Sequence, residues 1–66
     1  MNNLKRIRQE RNMTQFELGI RAGITPTDIS RIENDKIFLY PGWLKKLALA
    51  LGVEPEEIVK EGDEGI

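Results

Sequence analysis

The sequence contains no cysteine and no histidine. The first absence excludes disulfides and thiolate metal sites, and the second removes the commonest general base and the commonest metal ligand. A glycine-rich phosphate loop is also missing, so neighbouring residues cannot supply a nucleophile with its base. We therefore expect neither an enzyme nor a protein that binds a metal, a cofactor or a small-molecule ligand.

Long apolar runs are missing as well. No run approaches the roughly 18 residues that a membrane span requires, and no signal peptide precedes the charged start of the chain. A length of 66 residues fits one small domain. These features predict a soluble cytoplasmic protein with no membrane partner.

The charged residues are distributed unevenly along the chain. Residues 1–36 carry seven basic and five acidic side chains, whereas residues 37–66 carry three and six, which gives +2 and −3 and a total of −1. Such a division allows one weakly positive face to meet phosphates. The alternative is that all these charges are ordinary solvated surface.

The spacing of apolar residues is helical throughout, with no alternating strand. Asn3 is expected to cap a first helix that buries Leu4 and Ile7, and Asn12 suits a left-handed exit from that helix. Towards the end of the chain, "FLYPGW" (38–43) is predicted to be a loop, with Pro41 suited to a first helical turn.

The fourth helix, with Pro41 in its first turn, carries an apolar stripe in "WLKKLALALG" (43–52) and is expected to end at Gly52. Pro55 is predicted to open a short fifth helix. No linker divides the chain. The prediction is an all-α, compact five-helix bundle over residues 1–60, followed by a disordered tail over 61–66.

The middle of the chain repeats one pattern that starts helices. "MTQFEL" (13–18) and "ITPTDI" (24–29) each give an apolar residue, a threonine cap and an acid three residues later. The first helix of this pair would run over 15–22 and end at Gly23. Two short helices joined by a glycine turn form a helix-turn-helix. Gly19 costs roughly 1 kcal/mol inside a helix, which a close approach of the two helices would explain.

The combined pattern resembles the Cro/repressor-type helix-turn-helix domains of the XRE family. The matching residues are Leu4, Ile7, Arg8, "MTQFELG" (13–19), "AGIT" (22–25), "ISRIEN" (29–34), Lys36 and "LALALGVEPEEI" (47–58). The resemblance covers nearly the whole chain. It implies a lambda-repressor-like DNA-binding domain, often a homodimer, that regulates transcription.

Several positions depart from the family pattern. Gly19 stands where the family often has alanine, Asp35 where it has glycine, and Leu39 where it has proline. Phe16 and Ile20 stand where it usually has polar residues. These two, four residues apart, either pack under the first helix or form an apolar patch for a protein partner.

The resemblance implies that a recognition helix over 26–33 enters the major groove of double-stranded DNA. It maps base or phosphate contacts onto the start of this helix and onto its outward face, which comprise Thr25, Pro26, Thr27, Asp28, Ser30, Arg31 and Asn34. Thr27 is the best direct reader, since its hydroxyl pairs with several bases and its methyl suits thymine. Asp28 either supports the cap or accepts from cytosine, and Arg31 either binds DNA or pairs with a nearby acid.

Further contacts are expected along the DNA backbone. Gln15 opens the second helix and would point to a phosphate, or it is an ordinary polar first-turn residue. The other candidate phosphate contacts are Arg8, Arg11, Arg21 and Lys36. Trp43 is expected to anchor its loop against the core, and the alternative is that "YPGW" (40–43) contacts a phosphate.

We expect only one or two direct base contacts per subunit. This favours a dimer, because binding to two half-sites multiplies the contacts. Its interface is expected at Val53, Ile58 and Val59 with the end of the fourth helix, unless these residues only close the core. The leading hypothesis is a small sequence-specific transcriptional regulator, with repression as the favoured mode. The alternative is a protein-interaction module, an adaptor or antitoxin-like partner, with weak or no DNA binding.

Overall fold

The computed structural model describes residues 2–59, and these fold into five helices with no strand in that range. The helices are α1 (Leu4–Glu10), α2 (Gln15–Ala22), α3 (Pro26–Glu33), α4 (Pro41–Leu51) and α5 (Pro55–Val59). The predicted all-α, five-helix fold is confirmed. The predicted tail 61–66 and the domain boundary at residue 60 lie outside the described residues.

Every helix contributes to one core. The fully buried side chains are Leu4, Leu18, Ile29, Ile32, Leu47 and Ile58. Burying each of them contributes about 1.5–3 kcal/mol relative to exposure. Helix α2 packs against α3 and α4, α4 packs against α5, and α1 packs against α3 and α5.

The turns use the residues that the sequence indicated. Gly23 and Gly52 end α2 and α4 in the left-handed conformation, each with φ 72°. Asn12 and Asp35 also have positive φ, at 57° each. Asparagine and aspartate tolerate this region better than most residues because their short side chains can form local hydrogen bonds. The left-handed exit at Asn12 is therefore confirmed.

One predicted helix cap and one predicted loop need correction. Asn3 occupies the cap position of α1 but makes no side-chain capping bond. The Oδ1 atom of Asn2 instead accepts from the N–H of Leu4 at 2.9 Å. Helix α4 begins at Pro41, as predicted for its first turn, but the loop predicted over 38–43 ends at Tyr40. Proline is well suited to a first helical position because its fixed φ is helical and its N–H is not needed there.

The two residues before α1 form hydrogen bonds with the end of α3 and with α5. Asn2 Nδ2 donates to the Ile32 carbonyl at 2.8 Å, at the end of α3. The backbone N–H of Asn3 donates to the Ile58 carbonyl at 2.7 Å, and its Nδ2 donates to the Glu57 carbonyl at 2.9 Å. The beginning of the chain is thereby fastened to both α3 and α5.

Candidate nucleic-acid interface

The start of α3 is shaped by one capping bond and one proline. Thr25 is extended, and its Oγ1 accepts from the N–H of Asp28 at 3.1 Å. Pro26 is the first helical residue. Pro26 and Thr27 are both exposed. The helix therefore presents a stiff first turn in which a pyrrolidine ring and a threonine side chain face outward.

Close packing holds this first turn against α2. A Cβ placed on Gly19 would lie 2.5 Å from the Ile24 carbonyl oxygen and 3.4 Å from Pro26 N. Side chains larger than hydrogen do not fit at that distance without movement of the turn. The approach expected from Gly19 is present, and it is made to the turn that leads into α3.

The two helix starts differ in the backbone donors that they leave available. Within residues 2–59, the Gln15 and Phe16 N–H groups of α2 make no hydrogen bond, whereas at α3 only the Thr27 N–H is unbonded. The reason is that Pro26 has no N–H and that the Asp28 N–H is bound by Thr25. Two unbonded amides at a positive helix end form a better phosphate site than one.

Arg31 is on the exposed side of α3, one turn after Asp28. Its Nη1 lies 3.7 Å from Asp28 Oδ1, and the arginine side chain is 56 % exposed. Arg31 does pair with a nearby acid, which was the alternative to DNA binding, but the contact is long. Exposed pairs of this kind contribute roughly 0–1 kcal/mol, so the guanidinium can leave Asp28 for a ligand at little cost.

Ser30 and Asn34 complete this side of α3. Ser30 is half-buried and Asn34 is exposed. Asn34 Nδ2 donates to the Ser30 carbonyl at 2.9 Å and lies 3.5 Å from Ser30 Oγ. One donor of the Asn34 amide is therefore already used at the end of the helix, and its oxygen remains an acceptor.

Arg8 does not belong to this surface, contrary to the sequence prediction. Its side chain is buried, and its Nε and Nη2 donate to the two carboxylate oxygens of Glu33 at 2.6 and 3.3 Å. Its Nη1 donates to the Met13 carbonyl at 2.8 Å. A guanidinium with these internal partners cannot also reach a phosphate.

Glu33 is the central residue of this internal network, and it was not among the predicted site residues. It also accepts from Gln15 Nε2 at 3.0 Å, and its side chain is 1 % exposed. Arg8 follows buried Leu4 by four residues, and Glu33 follows buried Ile29 by four. Residues four apart share a helix face, so this spacing was the signal that both charges point inward.

The remaining basic candidates are exposed. Arg11 Nε donates to the Leu51 carbonyl at 2.7 Å, which closes the end of α4. The side chains of Arg21 and Lys36 are exposed and make no hydrogen bond or ion pair within the described residues. Arg21 and Lys36 are therefore available to a phosphate, whereas Arg11 already has an internal partner.

This geometry agrees with the comparison to protein families. A family model described as a helix-turn-helix domain matches residues 1–64. The chain belongs to the helix-turn-helix domain family. It is a domain of the Cro/repressor type, a family of DNA-binding domains of transcription regulators that is typically non-enzymatic. No curated protein matches the chain.

The apolar pair on α2 of this helix-turn-helix domain does not pack under α1. Phe16 and Ile20 are 63 % and 66 % exposed. That alternative is wrong because the inner face of α2 is occupied by Leu18, Gly19 and Ala22, which lie on the other side of the helix.

The residues predicted for a dimer interface divide into two groups. Ile58 is 0 % exposed and belongs to the core, so it cannot contact a second copy. Val53 is half-buried against the core, whereas Val59 is exposed. Leu49, near the end of α4, is 76 % exposed. Of the predicted interface residues and the end of α4, the exposed apolar side chains are therefore Val59 and Leu49.

Trp43 lies in the first turn of α4 and packs, half-buried, against the core. Its predicted role as an anchor is confirmed, although it anchors a helix start and not a loop. Within the described residues, no helix is both long and apolar enough to cross a membrane, and no cluster of acidic side chains could hold a metal ion.

Proposed function

We propose that this domain is a sequence-specific double-stranded DNA-binding transcriptional regulator of the cytoplasm, with repression as the favoured mode. Helix α3 would enter the major groove with Thr27 and Arg31 towards the bases. Two observations carry the proposal: the exposed first turn of α3 is packed against Gly19 of α2, and the start of α2 has two unbonded amides. This arrangement supports base contacts from one helix and a phosphate contact from the other.

The contact set follows from exposure. Thr27 and Arg31 are the proposed base readers, and Arg21 and Lys36 are proposed to contact the DNA backbone. Gln15 is proposed to contact the DNA backbone only through its unbonded N–H, since its side chain is bound to Glu33. Thr25 stabilises the first turn of α3 through its capping bond, and Pro26 and Asp28 are proposed to lie along the DNA in that turn. Ser30 and Asn34 form the edge of the surface, Arg11 is a minor backbone contact, and Arg8 is left out because it is buried.

The first experiment is a titration of the protein against a pool of random duplexes at low and moderate salt, followed by sequencing of the retained DNA. We expect an enriched motif and a steep fall of affinity with salt. Three cations per subunit, Arg11, Arg21 and Lys36, would give a log–log slope of about −3 per subunit. The proposal fails if no duplex is retained at low salt by a protein of full helical content.

A matched pair of arginines tests the role of α3. Arg31 and Arg6 have similar side-chain exposure, 56 % and 57 %, and each pairs with an acid on its own helix. Arg31→Ala should weaken binding to the selected duplex by roughly 1–3 kcal/mol and relax specificity at one position. Arg6→Ala lies on α1 and should change affinity much less. Equal losses would argue against a base contact by Arg31.

We also propose that the domain acts as a homodimer through Leu49, Val59 and the rim of Val53. Exposed aliphatic side chains at the end of α4 and on α5 support this surface. An inverted repeat in the selected DNA is expected, since the symmetry of a dimer appears in its site. Sedimentation equilibrium of Leu49→Lys beside wild type tests the interface, and an unchanged mass distribution would contradict it.

The exposure of Phe16 and Ile20 favours a second candidate function. Here the domain would bind a protein partner through α2, with weak or no DNA binding. Phe16→Ser with Ile20→Ser should then abolish the complex without loss of helical content. Complexes that survive this double substitution would exclude the α2 patch as the contact.

A further inference from the structure

The first turn of α3 has few polar groups with which to read a base. Its amide donors are reduced to the Thr27 N–H, because Pro26 has none and the Asp28 N–H is bound by Thr25 Oγ1. The Asp28 carboxylate lies beside Arg31. The Thr27 hydroxyl makes no hydrogen bond within the described residues. One hydroxyl, one amide and the Asp28 carboxylate, which lies 3.7 Å from Arg31, are therefore the polar groups of this turn.

The apolar groups of the same turn are better placed. The Pro26 ring is exposed on one side and seated against α2 on the other, where Pro26 Cδ lies 3.5 Å from the position that a Gly19 Cβ would take. The Thr27 methyl is on the next residue, which is also exposed. Both groups have little freedom to lose on binding, since proline fixes φ and threonine is restricted at χ1.

One group on the edges of unmodified base pairs matches such a surface. The 5-methyl of thymine is the apolar feature of the major groove, whereas guanine, cytosine and adenine offer donors and acceptors there. We propose that Pro26 and Thr27 form an apolar contact that selects thymine by its 5-methyl group. This inference rests on the proposed function and identifies the base that the first turn of α3 reads.

Replacing each thymine of the selected duplex by deoxyuridine tests the contact, because only the methyl is lost. At one thymine of each half-site we expect affinity to fall about fourfold, as for the burial of one methyl-sized group. Substitution at thymines outside the half-sites should have no effect.

A double-mutant cycle then assigns the contact to the protein. In the variant Pro26→Ala with Thr27→Ser, both apolar groups are removed and the hydroxyl is kept. The deoxyuridine effect should fall below about twofold in this variant. The control is Thr14→Ser, the same loss of a methyl at the cap of α2, which should retain the full effect. Circular dichroism checks that all variants are folded.

The outcomes are distinguishable. A fourfold effect that persists in the double variant, or a bound duplex in which no deoxyuridine weakens binding, would overturn the methyl contact and leave the proposed function standing. Failure to bind any duplex would overturn both.

Discussion

Helices α2 and α3 begin with the same sequence pattern and form different first turns. At α2 the capping box is complete: Thr14 Oγ1 accepts from the Glu17 N–H at 3.0 Å, and Glu17 Oε1 accepts from the Thr14 N–H at 2.8 Å. At α3 only the first of these bonds is present, and Asp28 lies near Arg31 instead. Aspartate is one methylene shorter than glutamate. This difference in length explains why the capping box is complete at α2 and incomplete at α3.

The difference extends to what each start contacts. Gln15, the first residue of α2, is fixed by Glu33 at the end of α3. Pro26, the first residue of α3, follows a turn that packs closely against Gly19, where an added Cβ would lie 2.5 Å from the Ile24 carbonyl oxygen. The start of α2 is thus held by a buried polar network, and the start of α3 is held by close packing. Four sets of substitutions separate these two mechanisms, from the largest expected effect to the smallest.

Glu33→Ala should have the largest effect because it leaves the Arg8 guanidinium buried without its carboxylate. Removing one partner of a buried pair costs about 3–5 kcal/mol, a large part of the 5–15 kcal/mol by which most domains are stable. Urea unfolding followed by circular dichroism measures the loss. The double replacement Arg8→Met with Glu33→Leu should recover much of it, and a loss below about 1 kcal/mol in the single variant would contradict the buried pair.

Gly19→Val should disturb the start of α3 in particular. The new Cβ would lie 2.5 Å from the Ile24 carbonyl oxygen, so the turn must move. Overpacking of this kind costs about 1–3 kcal/mol. Gly42→Val is the matched control, since Gly42 is also helical and a Cβ placed on it would meet no neighbouring atom within 4 Å. Equal free energies of unfolding for the two variants would contradict the close approach.

Thr14→Ala and Thr25→Ala remove the two caps separately. Each should cost about 1 kcal/mol in unfolding free energy, since one helix-end amide loses its acceptor. Thr25→Ala should in addition weaken binding to the selected duplex, because it loosens the proposed reading turn. If Thr14→Ala weakened DNA binding more than Thr25→Ala did, the assignment of α3 as the reading helix would need revision.

The exchange of the two acids should have the smallest effect. Asp28→Glu supplies the missing methylene and should close the second box, with a gain of a few tenths of a kcal/mol. Glu17→Asp should open the box of α2 with a loss of similar size. Thermal unfolding of both variants measures the pair of shifts, and shifts of the same sign would show that side-chain length is not what distinguishes the two starts.

Local sequence signals predicted most of this fold. The bounds of α2, the two threonine caps, the left-handed Asn12 and the proline starts of α3 and α5 all follow from residues within one turn of each other. Such features depend on backbone donors and allowed φ values, which neighbouring residues determine.

Contacts between distant residues were harder to predict. Arg8 and Glu33 are 25 positions apart, and nothing near either residue identifies its partner. The same holds for Asn2, which meets the end of α3, and for Ile58, which could equally have faced a second copy. The start of α4 at Pro41 was predicted, whereas the loop predicted over 38–43 ended at Tyr40. The proposed DNA contacts remain predictions from exposure and from the family.

The bond between Asn3 and Ile58 has a topological consequence. It brings the two ends of the described chain to adjacent positions, so a short linker can join residue 59 to residue 2 with little change to either helix. New ends can then be opened in the segment 36–40, between α3 and α4, which leaves α2 and α3 uninterrupted. Domains whose ends are close together tolerate this rearrangement. The order of the five helices along the chain is thus separable from the order in which they pack.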